Sequence, residues 1–162
     1  MPSATLNPGA QSDARKRCLL ARLTPNVIRP HPMLNKFLAN TIYVQVRKNA
    51  FRLRHIEGKK EREISAQRPF TTTRLLVGQF QEAESLLRKA IQEIGNGGLF
   101  KVSPVVVIHP IEMVEGGLSE VEERVYRELA MSTGARSVFV HVGATLSDSE
   151  VVSVSQSKQK AV

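Results

Sequence analysis

The histidines and the cysteine are the residue types in this sequence most often used for catalysis or metal binding. His31, His55, His109 and His141 show no spacing typical of metal ligands, and Cys18 has no second cysteine to join it. His109 follows an apolar run at the end of a predicted strand, where α/β proteins often place functional side chains. Because no second ligand lies near it in the sequence, we interpret it as a loop histidine, and we predict no metal site.

Basic residues of the N-terminal half could bind anions. Residues 1–72 contain 14 Lys and Arg against 4 Asp and Glu, whereas residues 73–162 contain 9 against 11. Clustered positive charge attracts the phosphates of nucleic acids and lipids, although a solvated basic surface is the simpler alternative. The residues predicted to form an anionic-partner surface are Arg47, Lys48, Arg52 and Arg54.

Size and composition limit the class of protein. A chain of 162 residues suits one domain of ordinary size. Its hydrophobic fraction of 41% and charged fraction of 23% are typical of a soluble globular protein, and no apolar run approaches the roughly 20 residues that cross a bilayer. A single cysteine cannot form an intrachain disulfide, which favours a cytoplasmic location.

The first 32 residues are predicted to be a disordered basic arm. They hold five of the eight prolines and the cluster Arg15-Lys16-Arg17, without a sustained apolar period. Met33 would make a plausible true start of the protein. Residues 34–38 combine three apolar side chains with one lysine, and peripheral contact with an anionic membrane surface is the less favoured interpretation of this patch, because it is short and follows a long arm.

Alternating residues predict an antiparallel meander after this arm. From Asn40 to Val46, apolar and polar residues alternate with the period of a half-buried strand. After a turn at residues 47–50, residues 51–54 alternate in the same way, which predicts a hairpin with one wet, positively charged face. A second turn at residues 57–60 leads to a short third strand around residues 63–66.

A helix and a buried strand are predicted next. Apolar residues recur at three- and four-residue steps from Phe80 to Ile94, so this segment should form an amphipathic helix. The helix should stop at Gly95, because glycine readily takes the left-handed conformation that closes a helix. The β-branched run Val105–Ile108 predicts a strand that is covered on both faces.

A second helix is predicted from a capping signal. Ser119 stands three residues before Glu122, which is the spacing of a capping box. Val121, Val125 and Leu129 then recur on one side and should form the buried stripe of the helix.

The order of these elements predicts an α/β fold. Gly134 should end the second helix, and residues 138–142 should return as a strand parallel to the previous one. The fold is therefore a meander followed by helix, strand, helix and strand. Residues 147–162 are rich in Ser, Gln and Lys and are predicted to be a flexible tail.

Two motifs in this region carry a resemblance to a known family. Residues Ser119–Arg124 read SEVEER, and residues Gly134–Val140 read GARSVFV. They resemble the helix start and the following strand entry of MreB, the bacterial actin-like rod-shape family, and weaker similarity extends over residues 33–146. The resemblance implies an actin/ribonuclease H-like half-domain, corresponding to the first subdomain of that family.

The nucleotide-binding residues of that family are altered here. Its first phosphate loop carries Asp-Leu-Gly-Thr, whereas this chain reads Phe37-Leu38-Ala39 before Asn40-Thr41. After the last matching strand the family continues Glu-Glu-Pro, and this chain has His141-Val142-Gly143. Glu122 matches the family's glutamate near the attacking water and is the one catalytic candidate, but its position in the capping box favours a purely capping role. We therefore expect neither enzymatic activity nor a bound ATP–Mg²⁺ cofactor.

Three functional hypotheses follow. The leading one is a non-catalytic, MreB-like partial protein that binds a protein partner, such as an MreB-type filament or another cell-shape component, in the cytoplasm or at the inner face of the cell membrane. The first alternative is a small basic protein that binds nucleic acid. The second alternative is a residual nucleotide-binding protein that completes its cleft by self-association.

Overall fold

The computed structural model of the chain describes residues 40–95 and 103–157. The predicted basic arm, Met33, the apolar patch at residues 34–38 and Cys18 lie outside these ranges. Within them, no helix is long and apolar enough to cross a membrane.

The described residues form one mixed sheet with helices. The strands and helices are β1 (Thr41–Arg47), β2 (Ala50–His55), β3 (Lys60–Ser65), α1 (Phe80–Ile94), β4 (Val105–Pro110), α2 (Glu120–Met131), β5 (Ser137–Val140) and α3 (Asp148–Ser157). The strand order is β3-β2-β1-β4-β5. β1, β2 and β3 pair antiparallel, whereas β1, β4 and β5 pair parallel. The predicted α/β class, meander and parallel unit are therefore confirmed.

The turn between β1 and β2 is fixed by Asn49. Its φ of 54° lies in the left-handed region, which asparagine tolerates better than most residues. Its side-chain Oδ1 accepts hydrogen bonds from the backbone N–H groups of Phe70 at 2.9 Å and Thr71 at 2.8 Å. The hairpin is thereby tied to the segment that leads into α1.

One face of the sheet packs against α1 and α2. Ile42, Val44 and Val46 on β1 are fully buried there together with Leu87 of α1 and Leu129 of α2. Each fully buried side chain of this size stabilises the fold by roughly 1.5–3 kcal/mol relative to leaving it exposed. The main hydrophobic core therefore lies on the face that the alternation of β1 predicted.

The other face of the sheet is more deeply buried than the sequence predicted. Tyr43 is 1% exposed and Gln45 is 7% exposed, although both were assigned to the wet side of a half-buried strand. Tyr43 belongs to a second apolar cluster with Val107, Phe139 and Val151. β1 is covered on both faces because it lies in the middle of the sheet and α3 packs over it and β4.

Helix α3 occupies most of the predicted flexible tail. Its start is a second capping box, in which Glu150 Oε2 accepts bonds from the Ser147 N–H at 2.8 Å and the Ser147 hydroxyl at 2.6 Å. Val151 is fully buried against the second apolar cluster. The prediction of a flexible tail was wrong for residues 148–157. It was based on polar composition and did not take into account the Ser147–Glu150 capping box or the buried Val151.

The two other helices lie where the sequence placed them. α1 begins and ends at the predicted residues, but Gly95 has a φ of −83° and does not take the left-handed conformation expected of it. α2 begins after Ser119, and Gly134 follows its last turn with a φ of 89°. In that conformation an L side chain would be strained, so a glycine fits this position.

Candidate functional site

Glu122, the catalytic candidate, caps helix α2. Its Oε2 accepts hydrogen bonds from the Ser119 backbone N–H at 2.9 Å and from the Ser119 hydroxyl at 2.7 Å. The backbone N–H of Glu122 donates to Ser119 Oγ at 3.3 Å and completes the capping box. The bonds from Ser119 hold the pKa of Glu122 below its ordinary value, since they favour the carboxylate.

A small apolar groove lies directly beside Glu122. It runs between the segment before α1 and the first turns of α2. Val121 is 73% exposed at its rim and Leu75 is 41% exposed, so the prediction that Val121 belongs to the buried stripe was wrong. Burial raises the pKa of Tyr126 to about 12 at the base of the groove. The lining residues are Leu75, Leu76, Val77, Val121, Glu122, Val125 and Tyr126.

Two of the four predicted anion-binding residues already have carboxylate partners. Arg52 pairs with Glu61 at 3.0 Å. Arg54 Nε lies 2.9 Å from Asp148 Oδ1, and its Nη2 donates to the Leu146 carbonyl at 2.6 Å. These contacts engage both arginines within the fold. Arg47 and Lys48, at the β1–β2 turn, are the members of the set whose side chains form no ion pair in the described ranges, and the backbone N–H of Lys48 donates to Glu112 Oε2 at 3.1 Å.

The net positive charge of the chain lies outside the described residues. Residues 40–95 and 103–157 together contain 14 Lys and Arg and 14 Asp and Glu, whereas the whole chain has 23 and 15. The excess of eight positive charges therefore belongs to residues 1–39, 96–102 and 158–162. The sheet and its helices are close to electrically neutral and should exert little long-range attraction on polyanions.

A buried polar cluster lies on the second face of the sheet. His109, interpreted from the sequence as a loop histidine, is part of β4 and is 0% exposed. Its Nδ1 lies 2.6 Å from the Tyr43 hydroxyl, and its Nε2 lies 3.1 Å from the Gly143 carbonyl. The ring of His141 meets the ring of His109 edge-on, with centroids 4.7 Å apart. We call Tyr43, Arg54, His109 and His141 the Tyr43–His109 cluster.

The direction of each hydrogen bond at His109 follows from its partners. The Gly143 carbonyl can only accept, so His109 Nε2 carries a proton and donates it. The Leu146 N–H donates to the Tyr43 oxygen at 3.3 Å, and the Tyr43 hydroxyl donates in turn to His109 Nδ1. A neutral imidazole thus satisfies both ring nitrogens. Burial, followed by the charge of His141, holds the pKa of His109 below its ordinary value.

Arg54 and His141 extend the cluster to the loop above it. This loop, residues Gly143–Ser147, joins β5 to α3 and is called the strap. The guanidinium of Arg54 lies 5.0 Å from the centroid of the Tyr43 ring, at cation–π distance. His141 Nε2 donates to the Ala144 carbonyl at 3.0 Å. All four cluster residues therefore bond to backbone groups of the strap.

The Tyr43–His109 cluster can hold or exchange a proton, but it cannot reach a substrate in this conformation. Tyr43 is 1% exposed and His109 is 0% exposed beneath the strap. Among the described residues, no group of three His, Cys, Asp or Glu side chains is placed to hold a metal ion. The cluster is therefore a structural element of the fold, with His109 as its buried ionisable group.

The sequence is similar to that of the uncharacterized protein YjaA of Escherichia coli (strain K12). The two are 32% identical over 128 residues, which cover 74% of this chain and 99% of the relative. The chain belongs to the YjaA family. No protein-family model and no solved structure matches it.

The sequence of this YjaA-family chain held one signal for the buried histidine. Val105 and Val107 precede His109 at two-residue steps, so all three side chains point to the same face of β4. A strand predicted to be covered on both faces should also have covered His109. Its partner Tyr43 could not be found in this way, because nothing local shows that β1 and β4 of the YjaA-family fold are neighbours.

Proposed function

We propose that this protein is a non-catalytic, actin-like partial protein that acts in the cytoplasm by binding another protein, with an MreB-type filament as the candidate partner. One observation carries the proposal. The residue that the MreB resemblance assigns to water activation, Glu122, is used to cap α2 and borders an apolar groove.

The arrangement of the strands supports the actin/ribonuclease H-like part of the proposal. An antiparallel meander supplies β3, β2 and β1, and parallel β4 and β5 follow on the other side of β1. The resemblance over residues 33–146 implies this same succession. In open α/β sheets the carboxyl ends of central strands commonly form the ligand site. Here that end of β4 carries His109, whose ring nitrogens are both bonded within the protein.

The position of Glu122 favours binding over catalysis. A general base must direct a free lone pair at the proton that it removes. Glu122 Oε2 accepts two hydrogen bonds from Ser119, and the lowered pKa of Glu122 makes it a weaker base than an ordinary glutamate. The groove beside it is lined mainly by aliphatic side chains, which suit an apolar group of a partner better than a phosphate.

The exposed valine at this groove is the residue expected to contact the partner. Val121 and Leu75 are large apolar side chains that remain exposed on either side of one groove. Glu120 and Glu123 are exposed beside Val121 on the same helix turn. A complementary surface would insert an apolar side chain and surround it with basic groups.

Co-sedimentation of the full chain with assembled MreB-type filaments tests this interaction. The variant Val121→Gln should bind about tenfold more weakly, because a central apolar contact is typically worth more than 1 kcal/mol. Met131→Gln is the matched control, since Met131 is 44% exposed near the other end of the same helix and should not affect binding. Equal binding by Val121→Gln and the unmodified protein would reject the groove as the contact.

An ATPase assay separates this proposal from a catalytic function. We expect no Mg-ATP hydrolysis by the full chain. Glu122→Gln is the informative variant, because glutamine also serves at this position of a capping box and the helix should be retained. Hydrolysis that is present in the unmodified protein and lost in Glu122→Gln would overturn the non-catalytic proposal. Nucleotide-dependent dimerisation would instead favour the self-association alternative.

Nucleic-acid binding is the less favoured function. The described residues are balanced in charge, and both Arg52 and Arg54 are paired with carboxylates. Binding that weakens steeply with salt and is lost in the double variant Arg47→Gln, Lys48→Gln would favour this alternative. Weaker binding of the same double variant to an anionic membrane surface would indicate that these two residues contact the membrane.

A further inference from the structure

The strap is held to the sheet by a group that can change its charge near neutral pH. Residues 143–145 of the strap are exposed, whereas Leu146 is 9% exposed and packs into the second apolar cluster. Below them His109 is fully buried and bonds the Gly143 carbonyl directly. It also bonds the Tyr43 hydroxyl, which accepts the Leu146 N–H.

The surroundings of His109 do not compensate a positive charge. Tyr43 faces it from β1, and Arg54 of β2 lies over the Tyr43 ring. His141 meets it from the end of β5 and is a second group that can become positive. α3 contributes two carboxylates on this side of the sheet. Asp148 pairs with Arg54, and Glu150 is capped by Ser147 and interacts with His141, so neither carboxylate acts directly on His109.

We propose that the strap and helix α3 form an acid-sensitive cover, which opens when His109 takes up a second proton. A proton on Nδ1 turns that atom into a donor, so it can no longer accept the bond from Tyr43. The Tyr43 oxygen can accept both the Nδ1–H and the Leu146 N–H, but its own hydroxyl proton is then left without the acceptor it had. The resulting charge is buried near Arg54 and His141, whereas opening exposes it to water.

The pH range of the opening follows from linkage. Burial and His141 hold the pKa of His109 in the closed state below its ordinary value of 6.5. In the open state the ring is solvated and should have a pKa of about 6.5. Above that pH both states are neutral and the cover stays closed, and below it the open state binds the proton more tightly. For one proton, the ratio of open to closed molecules rises at most about tenfold per pH unit.

Opening would uncover a second apolar surface. Tyr43, Val107 and Phe139 lie beneath the strap and α3 on this face. The groove at Val121 is on α2, which packs on the opposite face, so this inference is independent of the proposed partner contact.

Tyrosine fluorescence can follow the opening directly. The chain has two tyrosines and no tryptophan, so Tyr126→Phe leaves Tyr43 as the only strong emitter. Acrylamide quenching of this variant should be weak at pH 7.5 and increase progressively between pH 6.5 and 5.2, while far-ultraviolet circular dichroism shows that the sheet remains folded. Unchanged quenching over this range would overturn the proposal.

Two histidine variants in the Tyr126→Phe background identify the responsible group. His109→Gln keeps an amide that can donate to Gly143 but cannot become charged near neutral pH, and it should abolish the pH response. His141→Gln should keep the response but make it smaller, because the closed state then holds the second proton of His109 with one neighbouring positive charge fewer. A response in His109→Gln equal to that of Tyr126→Phe alone would reject His109 as the trigger.

Nuclear magnetic resonance provides the test if His109→Gln does not fold. The titration of the His109 ring and the hydrogen exchange of the Leu146 amide can be followed in the unmodified full chain. The protection of that amide, corrected for the intrinsic pH dependence of exchange, should fall with the same midpoint as the ring titrates. Midpoints that differ by more than one pH unit would contradict the proposal.

Discussion

Tyr43 shows how a single residue can join distant parts of this chain. Its hydroxyl contacts His109 of β4 and the Leu146 N–H of the strap, which lie 66 and 103 residues away along the sequence. Its ring lies below the guanidinium of Arg54. One side chain therefore couples β1, β2, β4 and the strap, although in the sequence it looks like the polar position of an alternating strand.

Removal of the Tyr43 hydroxyl should lower the free energy of unfolding more than removal of the Tyr126 hydroxyl. Tyr43→Phe leaves the buried His109 Nδ1 and the Leu146 N–H without their partner and should lower the free energy of unfolding by about 1–3 kcal/mol. Tyr126→Phe is the matched control and should cost less than about 1 kcal/mol, since its ring packing is retained. Urea unfolding of both variants measures the difference, and equal losses would contradict the assigned bonds.

Among the elements, α3 depends most on tertiary contacts. It spans ten residues, Asp148–Ser157, too short to be stable alone in water. Its capping box satisfies the first backbone groups, and Val151 anchors it to the second face of the sheet. Helix formation and docking should therefore occur together.

Two neighbouring valines test this anchoring. Val151→Ala removes two methyl groups from a fully buried site and should destabilise the protein by roughly 2 kcal/mol. Val152→Ala is the matched control, because Val152 is only partly buried and the same substitution should cost less than half as much. Urea unfolding gives both values. A larger loss for Val152→Ala would show that the helix docks in a different register.

At the scale of the whole molecule, stability should depend on pH in two acid steps. Burial lowers the pKa of both His55 and His109 from 6.5, so each favours folding above that pH and loses this contribution as the pH falls below 6.5 towards the lowered value. Serine hydrogen bonds lower the pKa of Glu122 and Glu150 from 4.5, and their contribution is lost as the pH falls below 4.5. Urea unfolding from pH 8 to pH 3 should show both steps.

A third step is expected in alkali. Burial raises the pKa of Tyr126 from 10.0 to about 12, so the neutral phenol favours folding below pH 10 and this contribution is lost as the pH rises towards 12. Tyr126→Phe should remove this step and leave the acid steps in place. A step of the same size in the variant would assign it to other groups.

Local patterns predicted much of the fold and little of the candidate site. The alternation of β1, the apolar period of Phe80–Ile94 and the Ser119–Glu122 capping box each depend on neighbours in the chain, and the structure contains all three elements. The second apolar face, by contrast, brings together Tyr43, Val107 and Val151 from three separate elements. No local period records such a contact.

Local sequence patterns predicted the five strands, helices α1 and α2, their order and the capping of α2, because these follow from backbone propensity and from side chains a few residues apart. Tertiary structure alone decided that Tyr43 and His109 are hydrogen-bonded, since β1 and β4 become neighbours only when the strands order as β3-β2-β1-β4-β5. It also decided that Val121 is exposed, because the buried side of α2 is set by how the helix lies on the sheet. Burial arises only when the helices pack on the sheet. That packing lowers the pKa of His109 and places it where it can bond the Gly143 carbonyl of the strap.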